Sequence, residues 1–155
     1  MNLSVLLRPE RINLSLQSKK KKDVLRELTS LIKKGEELDA LCETLGKREE
    51  LGSTGIGKGI AIPHCRSLLV DKLEAACGYS EKGIDFDSLD GKPVHLFFLI
   101  VAPPQDIGNQ YMLTLGRVAL LCQELIRRSG RRKLVIPKTP EEFIQMIKQM
   151  EEKLK

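Results

Sequence analysis

Apolar positions change period several times along the chain, and each change predicts an element. Leu3 to Leu7 is mostly apolar, a short helix or turn interrupted by Pro9. Ile12, Leu14 and Leu16 then alternate with Asn13 and Ser15, the period of a strand with one covered face. Val24, Leu25, Leu28, Leu31 and Ile32 fall at helical spacing, with Ser18 placed to cap that helix and Gly35 to end it. Leu38, Leu41, Cys42 and Leu45 line one face of a second helix over Glu36 to Leu45, which Gly46 is expected to stop. Further on, Leu68 to Cys77 mixes strand and turn signals, with Ala75, Ala76 and Cys77 expected inside. Gly78 to Gly83 is polar, Ile84-Asp85-Phe86 alternates, and Asp90-Gly91 predicts a turn. Val94 to Val101 is apolar on both faces, as a central strand must be. It ends at Pro103-Pro104, and a loop leads through Asn109 to an apolar helix over Tyr111 to Ile126. Leu134 to Ile136 predicts a short strand or connector. Thr139, Pro140 and Glu142 supply a cap, a proline at the first helical position and the glutamate of a capping box. Phe143, Ile147, Met150 and Leu154 stripe the last helix. Strands alternating with helices predict one layered α/β domain over residues 1–155, a mixed β-sheet flanked by helices on both faces.

Composition narrows the class. A chain of 155 residues, 41% hydrophobic and 30% charged, suits one globular core. There is no apolar run long enough to span a bilayer and no secretory h-region at the start, so membrane insertion is not expected. Cys42, Cys65, Cys77 and Cys122 are scattered without a C-x-x-C pair, which favours reduced thiols and a cytoplasmic location over disulfides or a zinc cluster. The net charge of +5 is concentrated in Lys19–Lys22 and Arg127–Lys133. Single-strand nucleic-acid recognition adds aromatic stacking to such charge, yet aromatics are only 4% and tryptophan is absent. Solvated helix ends are the better reading, and they suit Arg127–Lys133 better than Lys19–Lys22, which opens a helix.

The remaining stretch carries the chemistry. Between Arg48 and His64 lie Gly52, Gly55, Gly57 and Gly59, four of the chain's 12 glycines. Glycine at nearly every other position predicts a shaped loop whose N–H groups can cradle an anion. Pro63 stiffens the approach to His64, the side chain suited to exchange a proton or a phosphoryl group near neutral pH. A nucleotide P-loop needs G-x-x-x-x-G-K-[ST] after a strand. Gly52 to Lys58 fits its first seven positions, but Gly59 stands where the Mg²⁺-binding hydroxyl belongs and the preceding segment is helical.

The run Arg48-Glu49 … Gly52-Ser53-Thr54-Gly55-Ile56-Gly57 … Gly59-Ile60-Ala61-Ile62-Pro63-His64 resembles the active-site signature of the enzyme IIA domain of the fructose–mannitol class. That class belongs to the phosphoenolpyruvate-dependent sugar phosphotransferase system and includes the nitrogen-regulatory enzyme IIA proteins, whose signature wording this is most like. Pro93-Val94 … Leu96-Phe97-Phe98-Leu99 … Ala102-Pro103 and the following helix resemble the family's later strand and helix, and Ile12–Leu16 its first strand.

The resemblance implies that His64 is phosphorylated by an HPr-type carrier, with Arg48 stabilising the phosphoryl group. Ser53, Thr54 and the N–H groups of Gly55 and Gly57 become candidate phosphate contacts. Turn hydrogen bonding is an equal reading for the two hydroxyls. Without the resemblance, Arg48 reads as a surface arginine paired with Glu49 or Glu50. Where many members carry a second histidine this chain has Tyr111, a hydrogen-bond donor that cannot carry positive charge. The other histidine, His95, lies in the strong strand and reads as structural. Cys65 beside His64 reads as a small semi-buried residue, although modification there is expected to block the site. No cofactor and no metal are implied. The expected partners are the HPr-type carrier and either an enzyme IIB or regulatory targets. Two readings stay beside the regulatory relay: a sugar-transport IIA serving a separate IIB, and a non-catalytic regulator that binds an anion or a protein. No IIB or membrane IIC segment is expected to be attached.

Overall fold

In a computed structural model describing residues 2–155, one strand organises everything else. Its nine residues, Val94–Ala102 (β6), are buried along almost their whole length. Even and odd positions serve different cores. Leu96, Phe98, Ile100 and Ala102 enter one apolar cluster, and Phe97, Leu99 and Val101 enter another on the opposite face. Glu74–Ile84 (β5) runs antiparallel beside β6, and Ile12–Asn13 (β1) lies parallel outside β5. Ile60–Ala61 (β3) and His64–Arg66 (β4) run parallel along the other edge of β6, and Gly55–Gly57 (β2) folds back antiparallel on β3. The sheet is mixed and six-stranded, with helices on both faces.

The first cluster is covered by Leu3–Leu6 (α1), Gln110–Ser129 (α4) and Pro140–Lys153 (α5). The second is covered by Lys21–Thr29 (α2) and Gly35–Glu50 (α3). The α5 start matches its sequence signals: Glu142 N–H donates to the Thr139 hydroxyl oxygen, which donates in turn to the Glu142 carboxylate. At the far end of α5 the buried Glu151 carboxylate accepts from the N–H groups of Leu3 and Ser4, which fixes α1 to α5.

Several local expectations change. Strand β1 is only two residues long, because Asn13 Oδ1 accepts from Ser15 N–H and turns the chain before Leu16 rejoins the Tyr79 carbonyl. Ser18 does not cap α2; it donates to Glu27, whose carboxylate also accepts from the N–H groups of Gln17 and Ser18. Helix α2 stops at Thr29, and Gly35, at φ 59°, opens α3 rather than ending α2. Gly46 does not stop α3, since one helical glycine costs about 1 kcal/mol and four buried leucine and glutamate positions hold the helix to Glu50. Gly78–Gly83 is part of β5. Leu134–Ile136 is a connector, one of its two expected forms.

Gly78 marks the tightest contact under α2. A Cβ there would stand 2.6 Å from Leu28 Cδ2 and 2.8 Å from Leu16 Cδ1. Gly78→Ala is therefore expected to destabilise the fold by about 1–3 kcal/mol through overpacking. An unchanged urea midpoint would show that the α2 layer yields freely.

Candidate functional site

The glycine-rich stretch is a hairpin, not an open loop. Gly57, Lys58 and Gly59 take φ of 94°, 58° and 83°, so the chain reverses between β2 and β3 through three consecutive left-handed residues. Glycine lowers the cost at two of them. Asp90 accepts from the N–H groups of Lys58 and Lys92 and pins the turn. Gly55 passes so close to Ser88 that a Cβ would meet its backbone at 3.0 Å.

Beyond the hairpin, β3 and β4 behave as one strand interrupted at Pro63. Ile60↔Leu96, Ala61↔Phe97, His64↔Ile100 and Cys65↔Val101 all keep the same offset against β6. Proline has no N–H to add to the ladder, but its carbonyl still accepts from Ile100 N–H at 3.0 Å. His64 thus sits in fixed register on the most buried strand of the sheet, half-buried itself. Its Nδ1 lies 2.6 Å from the Ile62 carbonyl oxygen. A carbonyl only accepts, so Nδ1 carries a proton, and in the neutral ring Nε2 is the nitrogen with the lone pair.

Residues two apart on a strand share a face. Arg66 therefore lies on the same side of β4 as His64. Its guanidinium carbon is 4.6 Å from the ring centre of Tyr111, and Nη1 donates to the Pro103 carbonyl at 3.2 Å. The Tyr111 ring is in turn 6.1 Å from the His64 ring, tilted by 56°. Tyr111 stands at the start of α4, where Asp106 accepts from the N–H groups of Gln110 and Tyr111 and lies 3.9 Å from Arg66. Burial pushes the Tyr111 hydroxyl up to about 12; the charge of Cys65 would add to the rise, while Arg66 and Arg48 oppose it. The hydroxyl is a neutral donor near pH 7, and both arginines act on it electrostatically.

The other sequence candidates divide. Arg48 sits on the last turn of α3 and pairs with neither neighbouring glutamate. Its Nη1 donates to the Gly52 carbonyl at 3.0 Å. Glu49 is buried and faces Lys21, 3.0 Å away, and it accepts from the Thr54 N–H and hydroxyl. The Ser53 hydroxyl donates to the Phe86 carbonyl at 2.7 Å and accepts from Gly55 N–H. The hydroxyl protons of Ser53 and Thr54 and the Gly55 N–H thus have partners within the protein. Gly57 lies in the hairpin turn beside Asp90, a carboxylate that would repel an anion. These four residues build the hairpin; Tyr111 lies beside His64, and the charge of Arg48 acts on the Tyr111 hydroxyl. Lys21, from the basic run, is a structural cation that also lies 4.6 Å over the Phe86 ring.

His95 belongs to the frame as expected. Its Nδ1 lies 2.8 Å from the Ser80 carbonyl, and Gly83 packs against the ring edge. Arg127 and Arg128 pair with Glu124, closing the α4 end. The expectation for Cys65 changes. Its side chain enters the α2–α3 core, and burial pushes the thiol up to about 12. Brief alkylation of the native protein at pH 8 is expected to leave Cys65 unmodified and to label Cys42, the only cysteine not fully buried, first. Rapid labelling of Cys65, read by peptide mass, would contradict this packing.

No helix among the described residues is long and apolar enough to cross a membrane, and they hold no cluster of side chains fit to bind a metal. A groove of about 920 Å³ lies between α2 and α3 and is not lined by His64.

Residues 5–150 match the family model for the phosphoenolpyruvate-dependent sugar phosphotransferase system, EIIA 2. The chain belongs to that family. Members of the EIIA 2 family are phosphotransferases. Within it, this chain is 34% identical over 150 residues to a nitrogen regulatory protein of Pseudomonas aeruginosa, covering 95% of each. It is 36% identical over 152 residues to the fructose-specific EIIABC component of Bacillus subtilis. That match takes in 96% of this chain and 23% of that protein, so the chain spans under a quarter of that relative's length. The crystal structure of nitrogen regulatory protein IIA-Ntr from Neisseria meningitidis superimposes with a TM-score of 0.80 at 31% identity. It covers 94% of this chain and 98% of that one. The EIIA 2 fold is therefore the fold observed here: a mixed sheet with helices on both faces.

Proposed function

We propose that this EIIA 2 protein is a cytoplasmic phosphoryl relay that accepts a phosphoryl group on His64 Nε2 from an HPr-type carrier and acts mainly as a regulatory, nitrogen-type IIA. The observation that carries the reading is the Ile62 carbonyl on His64 Nδ1, which leaves Nε2 as the free nucleophile on a rigid strand. In the step, the Nε2 lone pair forms a bond to phosphorus as the donor's nitrogen–phosphorus bond breaks. The donor's imidazole leaves with that electron pair. His64 keeps its Nδ1 proton on the Ile62 carbonyl and becomes a phosphoryl-imidazolium. In this reading Arg48 and the Tyr111 hydroxyl meet the charge on the phosphoryl oxygens, supported by the Tyr111 ring 6.1 Å from His64 and by the charge of Arg48 acting on that hydroxyl.

The face around the site suits a protein donor. Leu51, Ile107 and Met112 are exposed apolar side chains on the segments that carry Arg48, Asp106 and Tyr111. Such side chains beside a reactive group favour docking of another protein. A regulatory role is supported by the nitrogen regulatory protein of P. aeruginosa, which this chain matches along almost all of both lengths. A second reading, a carrier passing the group to a separate enzyme IIB in sugar uptake, is supported by the fructose-specific relative.

The test incubates the protein with phosphoenolpyruvate, enzyme I and HPr, or the nitrogen-branch pair, and reads intact mass. Gain of one acid-labile phosphoryl group supports the relay. Transfer onward to a purified IIB would favour the transport reading over the regulatory one. No gain with either donor pair would leave a non-catalytic binding protein.

A further inference from the structure

Two negative charges placed on His64 Nε2 need a cation close by, and the groups around the ring do not supply it equally. Tyr111 is neutral, because its hydroxyl is held up to about 12. Lys21 is turned to Glu49 on the other face of the sheet. Arg48, at the end of α3, is tied to the Gly52 carbonyl and acts on Tyr111 through its charge. Arg66 shares the strand face of His64 and lies against Tyr111, the aromatic side chain nearest the imidazole.

We propose that Arg66 is the second cation of the phosphoryl site, holding Tyr111 in place by stacking and supplying the positive charge that Tyr111 cannot. The inference rests on the phosphohistidine reading above. Three contacts carry it. The guanidinium lies 4.6 Å from the Tyr111 ring centre, which braces the ring that stands 6.1 Å from the His64 ring. Nη1 donates to the Pro103 carbonyl at 3.2 Å, which fixes the height of the fork above the sheet. Asp106 stands 3.9 Å away, beyond hydrogen-bond distance, so the guanidinium is only loosely neutralised and keeps N–H donors for another anion. The same carboxylate accepts from Tyr111 N–H at 2.7 Å, so one residue sets the position of both the arginine and the tyrosine. A guanidinium is also the side chain that remains charged at any working pH and meets phosphate oxygens in pairs. The Arg66 side chain is 39% exposed, so its substitution leaves the core intact.

The experiment follows phosphorylation of wild type, Arg66→Gln, Arg66→Lys and Tyr111→Phe by two donors: phosphorylated HPr and the small donor phosphoramidate, which needs no docking surface. Hydrolysis of the phosphohistidine formed is timed in each. Arg66→Gln is expected to slow acceptance from both donors by about 10- to 100-fold, the low end for a preorganised charge-stabilising group because the side chain is partly exposed. Its phosphohistidine is expected to hydrolyse at an altered rate, and Arg66→Lys to recover part of the loss, since it restores the charge but not the stack or the paired donors. Tyr111→Phe keeps the stack and the charge, and is expected to lose less than Arg66→Gln. Arg66→Gln with wild-type rates overturns the inference alone. So does a loss confined to the HPr donor, which would make Arg66 a docking residue, or a loss that lysine does not recover. Wild-type protein that takes a phosphoryl group from neither donor overturns the relay reading and this inference with it.

Discussion

His64→Ala is expected to abolish phosphoryl acceptance while leaving the fold in place. The ring makes one protein hydrogen bond, to the Ile62 carbonyl, and is half-buried rather than packed in either core. Its loss should change stability by no more than about 1.5 kcal/mol, the upper end for one ordinary hydrogen bond. The chemistry has no substitute: Cys65 points into the α2–α3 core with its thiol held protonated, and the Tyr111 hydroxyl is held protonated as well. His95→Ala is the contrasting variant. His95 is tied to the Ser80 carbonyl, and its ring packs under Gly83 and beside Tyr79. That variant is expected to lose stability but to remain phosphorylated at His64. The pair is read by intact mass after incubation with the donor system and by urea denaturation of each variant. Phosphate incorporated into His64→Ala, or lost from a folded His95→Ala, would assign the chemistry to the wrong histidine.

Glu49→Ala is expected to be the most damaging substitution outside the apolar cores. The side chain is 4% exposed, and its carboxylate serves three donors from two segments: Lys21 of α2, and the N–H and hydroxyl of Thr54. Thr54 in turn accepts Ile62 N–H on its carbonyl, so the carboxylate anchors the base of the hairpin that delivers His64. Alanine leaves a buried N–H without its acceptor and the largely covered Lys21 ammonium with only the exposed Asp87 carboxylate, 3.6 Å away, at a cost on the order of 3 kcal/mol. Phosphoryl acceptance should fall as well, because the hairpin base and Ile62 lose their fixed position. Glu49→Gln keeps an acceptor for Thr54 N–H but not the charge facing Lys21, so its cost should fall between wild type and alanine. Lys21→Met combined with Glu49→Gln is expected to cost less than the sum of the two. Additive losses in a denaturant series would mean that the Lys21–Glu49 contact contributes no coupling.

The elements with long, regular periods were legible in the sequence: β6 from its two-sided apolar run, and α5 from its capping box. The elements that failed were governed by side chains reaching across the chain. Ser18 was drawn to Glu27 instead of capping α2, and α3 ran through Gly46 because buried leucines before it and the buried Glu49 after it outweighed one glycine. The site was half legible. The motif pointed to His64, and the start of α4 brings the Tyr111 ring to 6.1 Å from the imidazole. The partners of the Ser53 and Thr54 hydroxyls and of the hairpin turn were not legible, because only the folded chain brings Phe86, Glu49 and Asp90 to them. Arg66 had a signal that the sequence reading left unused: two residues beyond His64 on a strand places it on the same face.

The most direct test of the account is the long-range ¹H–¹⁵N spectrum of the His64 imidazole before and after phosphorylation. The expected result is a proton on Nδ1 and a bare Nε2 in the free protein, then phosphorus on Nε2 with the Nδ1 proton retained. A free ring with the proton on Nε2, or phosphorus on Nδ1, would contradict it, because the Ile62 carbonyl would not then be holding the ring as described.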